Sequence, residues 1–118
     1  ISSVLDGVSK VYNKEEIVCI FQPHRISRVK NLKIEFSKCF KNANTVLLCP
    51  IYKASETIKL GFSYASFAKL IAKNSKVNLI MLKNEIDLKK IIKNIAFGSK
   101  IFIAMGAGSI TNWVRNLN

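Results

Sequence analysis

The sequence is poor in the residues that build most metal and hydrolytic sites. It has one histidine, His24, and three cysteines, Cys19, Cys39 and Cys49, with no CxxC pair. A zinc site would therefore lack ligands. The seven acidic residues are dispersed, and no Ser/His/Asp constellation or acidic pair is visible. The sequence predicts no metal site and no hydrolytic chemistry by this chain alone, and the thiols are expected to be inert groups of a reducing compartment.

Long apolar runs are also missing. No run approaches the ~18 residues that a membrane-spanning helix needs, so the sequence predicts a soluble protein without a membrane partner. The reducing compartment expected from its thiols would be the cytoplasm. With 118 residues and 49% apolar content, it is long enough for one compact domain with its own core. The chain begins at Ile1 rather than at a methionine, and a helical pattern starts at once. Both features indicate a fragment of a longer protein.

Arginine is scarce although the chain is strongly basic. The net charge is +12, but sixteen of the nineteen basic residues are lysines scattered through every segment, and only Arg25, Arg28 and Arg115 are arginines. Recognition of base edges and bidentate binding of phosphate favour arginine. The charge therefore favours a solvated surface over a nucleic-acid site. A basic α/β module that binds nucleic acid or a nucleotide is the alternative, and a clustered basic face in the folded domain would support it.

The apolar pattern alternates between helical and strand periods. Short β-branched runs predict strands at 17–21, 45–49, 77–82 and 101–105, with amphipathic helices between them. The first helix is predicted over 2–13, the third is expected to stop at Asn74, and the fourth to be capped by Asn84 or Asp87 and ended by Gly98. Strands that are apolar on both faces predict a three-layer, Rossmann-like α/β fold with a mostly parallel sheet.

Three segments with polar or glycine chemistry follow predicted strands. They are QPHRISR (22–28), PIYKASE (50–56) and MGAGS (105–109). Ligands of open α/β sheets bind beyond the carboxyl ends of the strands. We therefore expect all three segments at one edge of the sheet, with His24, Arg25 and Arg28 at least partly accessible to solvent.

The first segment offers the strongest candidate site. Arg25 and Arg28 are three residues apart, so they share a face if the segment opens a helical turn. Two guanidinium groups on one face can bind a carboxylate or a phosphate bidentately. A surface turn with chance arginines is the alternative.

The other two segments carry weaker signals. The backbone N–H groups of Gly106, Ala107 and Gly108 are suited to holding an anion, but a tight turn that requires glycine explains them equally well. Tyr52 and Glu56 offer a hydroxyl and a carboxylate at the same edge, although Glu56 also suits a helix cap.

The three segments together resemble signatures of the Mur ligase family, in its branch that adds L-alanine. The run VCIFQPHRISR resembles the family's FQPHRYSR, PIYKASE falls where the family has a DIYPAGE-like segment, and IFIAMGAGSITNW resembles its closing MGAGDI strand-turn-helix. The order and spacing fit, and the similarity spans essentially the whole chain. The sequence departs from the pattern at Ile26, Pro50, Lys53 and Ser55, so no role is carried over for the acid usual at position 50.

The resemblance implies one domain, 1–118, which is the C-terminal, amino-acid-binding domain of the ligase. The N-terminal UDP-sugar domain and the central ATP-binding domain would be its partners in the same chain, and the family's Asp-Asp-Tyr-Gly/Ala-His-His-Pro segment would lie just before Ile1. The implied activity joins L-alanine to UDP-N-acetylmuramate in peptidoglycan synthesis, and so serves cell-wall biogenesis, cell shape and cell division.

The same resemblance implies how the reaction proceeds. ATP with Mg²⁺, both bound in the central domain, converts the muramoyl carboxylate into an acyl phosphate, and the amine of L-alanine then displaces phosphate. His24, Arg25 and Arg28, with Tyr52, Glu56, Gly106, Ala107 and Gly108 as weaker candidates, would bind substrate. No residue of this domain is expected to be catalytic, so the domain alone should be inactive.

Overall fold

The computed structural model describes residues 2–23, 34–50, 64–95, 100–106 and 110–116. Within them, the main elements are α1 (Ser2–Ser9), β1 (Ile17–Gln22), β2 (Thr45–Leu48), α2 (Tyr64–Ser75), β3 (Asn78–Met81), α3 (Glu85–Ile95), β4 (Ile101–Gly106) and α4 (Ile110–Arg115). A short 3₁₀ turn, Lys14–Glu16, precedes β1, and residues 34–37 are helical. All four predicted strands are confirmed, with each end within one residue of its predicted place.

The four strands form one parallel sheet in the order β3-β2-β1-β4. The central strand β1 pairs with β2 through Val18–Thr45 and with β4 through Ile17–Ile101. The predicted mostly parallel sheet is therefore confirmed, and every described pair in it is parallel. Because the strands are parallel, their carboxyl ends share one edge of the sheet.

Helices cover both faces of this sheet. On one face α1, the 34–40 segment and α2 pack against Cys19, Phe21, Val46 and Leu48. On the other face α3 and α4 pack against Val18, Ile20, Leu47 and Cys49. Successive residues of β1 and β2 thus enter opposite cores, as the alternation of side chains along a strand requires. The result is the three-layer arrangement predicted from the doubly apolar strands.

The two central strands are more deeply buried than the two outer ones. Every residue of β1 and β2 is buried, whereas β3 and β4 are buried only in part. At Met81, the last residue of β3, 43% of the surface is exposed. An outer strand has a neighbour on one side only, so its apolar residues receive less cover.

Helix α1 is shorter than predicted. The periodicity predicted a helix over 2–13, but α1 ends at Ser9, and the N–H groups of Val11 and Tyr12 both donate to the carbonyl of Val8 in a closing turn. Leu5 is fully buried as expected, whereas Val11 is 75% exposed. Val11, Tyr12 and Asn13 are weak helix formers, and the chain must turn there to enter β1.

The start of α3 resolves the two predicted caps. The Asn84 side chain accepts a hydrogen bond from the Asp87 N–H at 3.0 Å, and the Asp87 carboxylate accepts one from the Lys83 N–H at 2.9 Å. Asn84 is thus the N-terminal cap, and Asp87 accepts a hydrogen bond from Lys83, the residue before the cap. The predicted end at Gly98 lies outside the described residues.

A buried serine fastens the opposite, amino edge of the sheet. Ser75 ends α2 just before β3 and is 1% exposed. Its hydroxyl accepts a hydrogen bond from the Phe40 N–H at 3.1 Å and donates one to the Ser37 carbonyl. This link joins two segments far from the carboxyl edge.

Candidate functional site at the carboxyl edge of the sheet

The strands that precede the three candidate segments are neighbours in the sheet. Gln22 at the end of β1 is in register with Gly106 at the end of β4, and Phe21 with Leu48 at the end of β2. The segments 22–28, 50–56 and 105–109 therefore leave from one edge, which we call the carboxyl edge. Seven candidate residues lie outside the described residues, and their placement at this edge stays a prediction: His24, Arg25, Arg28, Tyr52, Glu56, Ala107 and Gly108.

Gln22 ties the three departure points together. Its side-chain oxygen accepts a hydrogen bond from the Ile110 N–H at 2.8 Å, and its side-chain nitrogen donates to the Pro50 carbonyl at 3.1 Å. The side chain is 3% exposed. One carboxamide thus connects the end of β1, the segment after β2 and the first residue of α4.

Gly106 packs directly against the backbone of Gln22. A Cβ at position 106 would lie 2.2 Å from the Gln22 carbonyl oxygen, and the φ of Gly106 is +130°. Residues other than glycine rarely adopt this backbone conformation. The backbone at position 106 therefore requires glycine, as the alternative interpretation of the segment 105–109 predicts. A role of Gly106 in binding substrate stays a prediction.

Tyr64 and Cys49 complete the described part of the edge. The Tyr64 hydroxyl donates a hydrogen bond to the Cys49 carbonyl, and the Cys49 N–H donates to the Phe21 carbonyl at 2.8 Å. Burial, and to a lesser extent the neighbouring Cys49, raises the pKa of Tyr64 well above its ordinary range. This hydroxyl therefore stays protonated and serves as a hydrogen-bond donor.

The buried thiols are strongly held in the protonated form. Burial raises the pKa of both Cys19 and Cys49 from 9.0 to about 12, and both are free cysteines. A thiol with a pKa this high has almost no thiolate at neutral pH. This agrees with the expectation that the cysteines are inert.

These thiols predict a loss of stability in alkali. A thiol whose pKa is higher in the folded state contributes its full stabilisation below pH 9.0, the unfolded value, and loses it as pH rises towards about 12. We expect the free energy of unfolding to fall across this window in urea titrations. The Cys19→Ala/Cys49→Ala variant should show a shallower fall, since the two thiols with the most strongly raised pKa are gone. Equal slopes for the two proteins would contradict the assignment.

A depression lies beside the end of β4. It has a volume of about 260 Å³ and is lined by Ala104, Gly106, Ile110, Thr111, Val114 and Arg115. It adjoins the carboxyl edge on the outer side of the sheet and carries one positive charge, that of Arg115. This is the third arginine of the chain, and it lies outside the three candidate segments.

The sequence predicts neither a metal site nor a membrane-spanning helix. Within the described residues, no group of three or more histidine, cysteine or acidic side chains is placed to hold a metal ion. Among the helices of the same residues, none is long and apolar enough to cross a membrane.

Gln22 and Tyr64 were not identified as site residues from the sequence. Gln22 is the first residue of the segment 22–28, and Tyr64 is the first residue of α2. Their contacts bridge 28, 88 and 15 residues along the chain, and no local pattern encodes such contacts. A glutamine at the end of a wholly apolar strand was the one available signal, because a buried amide needs partners.

The chain is similar over almost its whole length to curated ligases. It is 59% identical over 117 residues to a UDP-N-acetylmuramate–L-alanine ligase of Pelagibacter ubique, a match that covers 99% of this chain and 25% of that protein. It is 31% identical over 117 residues to the ligase of the same name from Hyphomonas neptunium, with the same two coverages. The chain thus spans about a quarter of the length of these relatives. No protein-family model matches it.

Solved structures share its fold at low sequence identity. One is a domain of a UDP-N-acetylmuramate:L-alanyl-gamma-D-glutamyl-meso-diaminopimelate ligase from Haemophilus ducreyi, with a TM-score of 0.64, 14% identity and coverage of 98% of this chain and 76% of that one. Another is a murein peptide ligase from Psychrobacter arcticus, with a TM-score of 0.68, 16% identity and coverage of 98% and 24%. The three-layer fold is therefore one that domains of such ligases adopt.

Proposed function

The chain belongs to the Mur ligase family, and we propose that it is the C-terminal, amino-acid-binding domain of an ATP-dependent ligase. The ligase would join L-alanine to UDP-N-acetylmuramate in peptidoglycan synthesis. The observation that carries this proposal is the 59% identity, across 99% of the chain, to a protein named for that reaction. Two further domains of the same polypeptide, for the UDP-sugar and for ATP, would complete the enzyme.

The described residues do not fit the site of the metal ion that such a reaction requires. They contain no acidic cluster for Mg²⁺, and the sequence has no GKT-type phosphate loop. We therefore assign ATP and Mg²⁺ to the central domain. Bound there, ATP would give its terminal phosphoryl group to the muramoyl carboxylate and leave as ADP, and the amine of L-alanine would then displace phosphate. Nucleotide substrates and free thiols favour a cytoplasmic location.

The part left to this domain is to hold the amino acid. Arg25 and Arg28, which follow β1, would bind the L-alanine carboxylate or a neighbouring anionic oxygen through their planar donor pairs. His24, Tyr52, Glu56 and the backbone of Gly106, Ala107 and Gly108 are further candidates at the same edge. Their role is to orient the amine towards the acyl phosphate and to neutralise charge, without transferring a proton.

The distribution of lysine argues against the basic-module alternative. Lys69 and Lys73 lie on α2, while Lys89, Lys90 and Lys93 lie on α3, and these two helices cover opposite faces of the sheet. All five are exposed. These five positive charges thus lie on both sides of the sheet and do not form one binding face.

The proposed function is tested with the complete ligase that contains this chain. With ATP, Mg²⁺ and UDP-N-acetylmuramate, we expect L-alanine to support phosphate release and formation of UDP-N-acetylmuramoyl-L-alanine. D-alanine at equal concentration provides the control for recognition of the amino acid. A ligase that accepts an L-alanyl peptide and leaves free L-alanine unreacted would contradict the proposal.

The isolated chain is expected to be inactive. Since it has neither a phosphate loop nor, in its described part, an acidic metal cluster, it should not hydrolyse ATP or ligate L-alanine. Phosphate release by the purified chain, measured with ATP and Mg²⁺ over a range of chain concentrations, should stay at background. Turnover that rises in proportion to the chain would overturn the assignment of ATP to another domain.

A further inference from the structure

We propose that Gln22 is a positioning residue for the amino-acid site: its carboxamide fixes the places from which the candidate substrate-binding segments leave the sheet. The inference rests on the proposed function and extends it to a residue that acts through its hydrogen bonds to the candidate segments. Three segments distant in sequence meet at one buried side chain, and each of them continues into residues assigned above to substrate.

Gln22 and its two bonded partners each lie two residues from a candidate substrate-binding residue. Gln22 stands two residues before His24, its partner Pro50 two residues before Tyr52, and its partner Ile110 two residues after Gly108. The strand ends bearing Gln22 and Gly106 are also in register. A displacement at Gln22 is therefore transmitted to the start of all three segments.

The Gln22 carboxamide matches the hydrogen-bonding groups of its two partners. Ile110 offers an N–H and Pro50 a carbonyl, so the residue between them must accept at one atom and donate at the other. Glutamine does both, and the two partners fix which end of the amide carries the oxygen. A glutamate would accept from Ile110 but would have no proton for Pro50 when ionised. A methionine of similar length would satisfy neither.

The placement of the link separates positioning from simple stability. Gln22 lies at the carboxyl edge, whereas Ser75 makes an equally buried link between separate segments at the amino edge. Both residues contribute to a well-ordered domain. Only Gln22 connects the segments that carry Arg25, Arg28, Tyr52 and Gly108.

The test compares variants of the complete ligase at these two positions. We expect Gln22→Met to lower kcat/KM for L-alanine at least ~10-fold, mainly through a higher KM for L-alanine, since misplaced segments bind the amino acid less well. The KM values for ATP and UDP-N-acetylmuramate should change less than ~2-fold. Gln22→Glu should lie between the wild type and Gln22→Met, because it keeps the bond from Ile110, and it carries the test if the methionine variant does not fold. Ser75→Ala should lower stability without changing the KM for L-alanine.

The outcomes distinguish the two proposals. A wild-type ligase that does not use L-alanine refutes the proposed function before any variant is compared. If the wild type is active and the Gln22 and Ser75 variants lose activity alike, in proportion to their loss of stability, Gln22 is merely structural and the positioning role is overturned. A rise in KM for L-alanine confined to the Gln22 variants supports it.

Discussion

Replacing Arg25 or Arg28 with lysine in the complete ligase should lower kcat/KM for L-alanine at least ~10-fold. Lysine keeps the positive charge but loses the planar pair of donors that grips a carboxylate or an acyl-phosphate oxygen. Loss of a charge-assisted hydrogen bond costs roughly 1.5–3 kcal/mol, which corresponds to about 10- to 150-fold. Steady-state kinetics at varied L-alanine concentration measures the change, and thermal unfolding should show that stability hardly moves.

The third arginine of the chain provides the matched control. Arg115 is exposed and lies at the end of α4. It lines the depression beside β4 but belongs to none of the three candidate segments, so Arg115→Lys, which keeps the charge, should leave kcat/KM near the wild-type value. If Arg25→Lys and Arg28→Lys also leave it unchanged, the two residues are a surface pair without a role in binding L-alanine.

Replacing Gly106 with alanine should destabilise the domain by on the order of 3 kcal/mol. Two effects add: the new Cβ would lie 2.2 Å from the Gln22 carbonyl oxygen, and alanine is strained at a φ of +130°. The obstacle is backbone of the central strand, so it cannot move aside as a flexible side chain would. Urea denaturation should show a lower midpoint, and thermal unfolding a Tm about 10 °C lower.

Gly7 offers a glycine control in the same chain. A Cβ at Gly7 would meet nothing within 4 Å, and the residue lies inside α1, where alanine is favoured over glycine by up to about 1 kcal/mol. Gly7→Ala should therefore leave the stability unchanged or raise it slightly. An equal, small effect of both substitutions would show that β4 does not end against β1 as described.

The fold followed from the sequence wherever burial determines local structure. The runs IVCIF and TVLL are apolar at every position because both of their faces are covered, and they are the two central strands. The sequence alone gave no sign that β3 and β4 lie at the outside of the sheet. The exposed Val11 shows the same limit, since a periodic apolar residue is buried only if the helix continues far enough to present it.

The candidate site was predicted to a different extent. Its location at the carboxyl edge followed from the parallel sheet, and the shared edge of β1, β2 and β4 is now observed. The assignment of His24, Arg25 and Arg28 to substrate came from resemblance and stays a prediction. The bonds of Gln22 to Pro50 and Ile110 depend on which strand ends are neighbours in space, so they required the fold.

The large sequence separation of the residues that Gln22 bonds bears on the order in which the domain folds. Gln22 and Ile110 are separated by 88 positions. Strand β4 pairs with β1, although β2 and β3 lie between them in sequence. During synthesis from the N-terminus, β1, β2 and β3 can pair early, whereas the edge of β1 that pairs with β4 stays open until β4 has been made. Contacts of such high sequence separation form slowly because a long loop must close first. We therefore expect the carboxyl edge to form late in folding, after β1, β2 and β3 have paired.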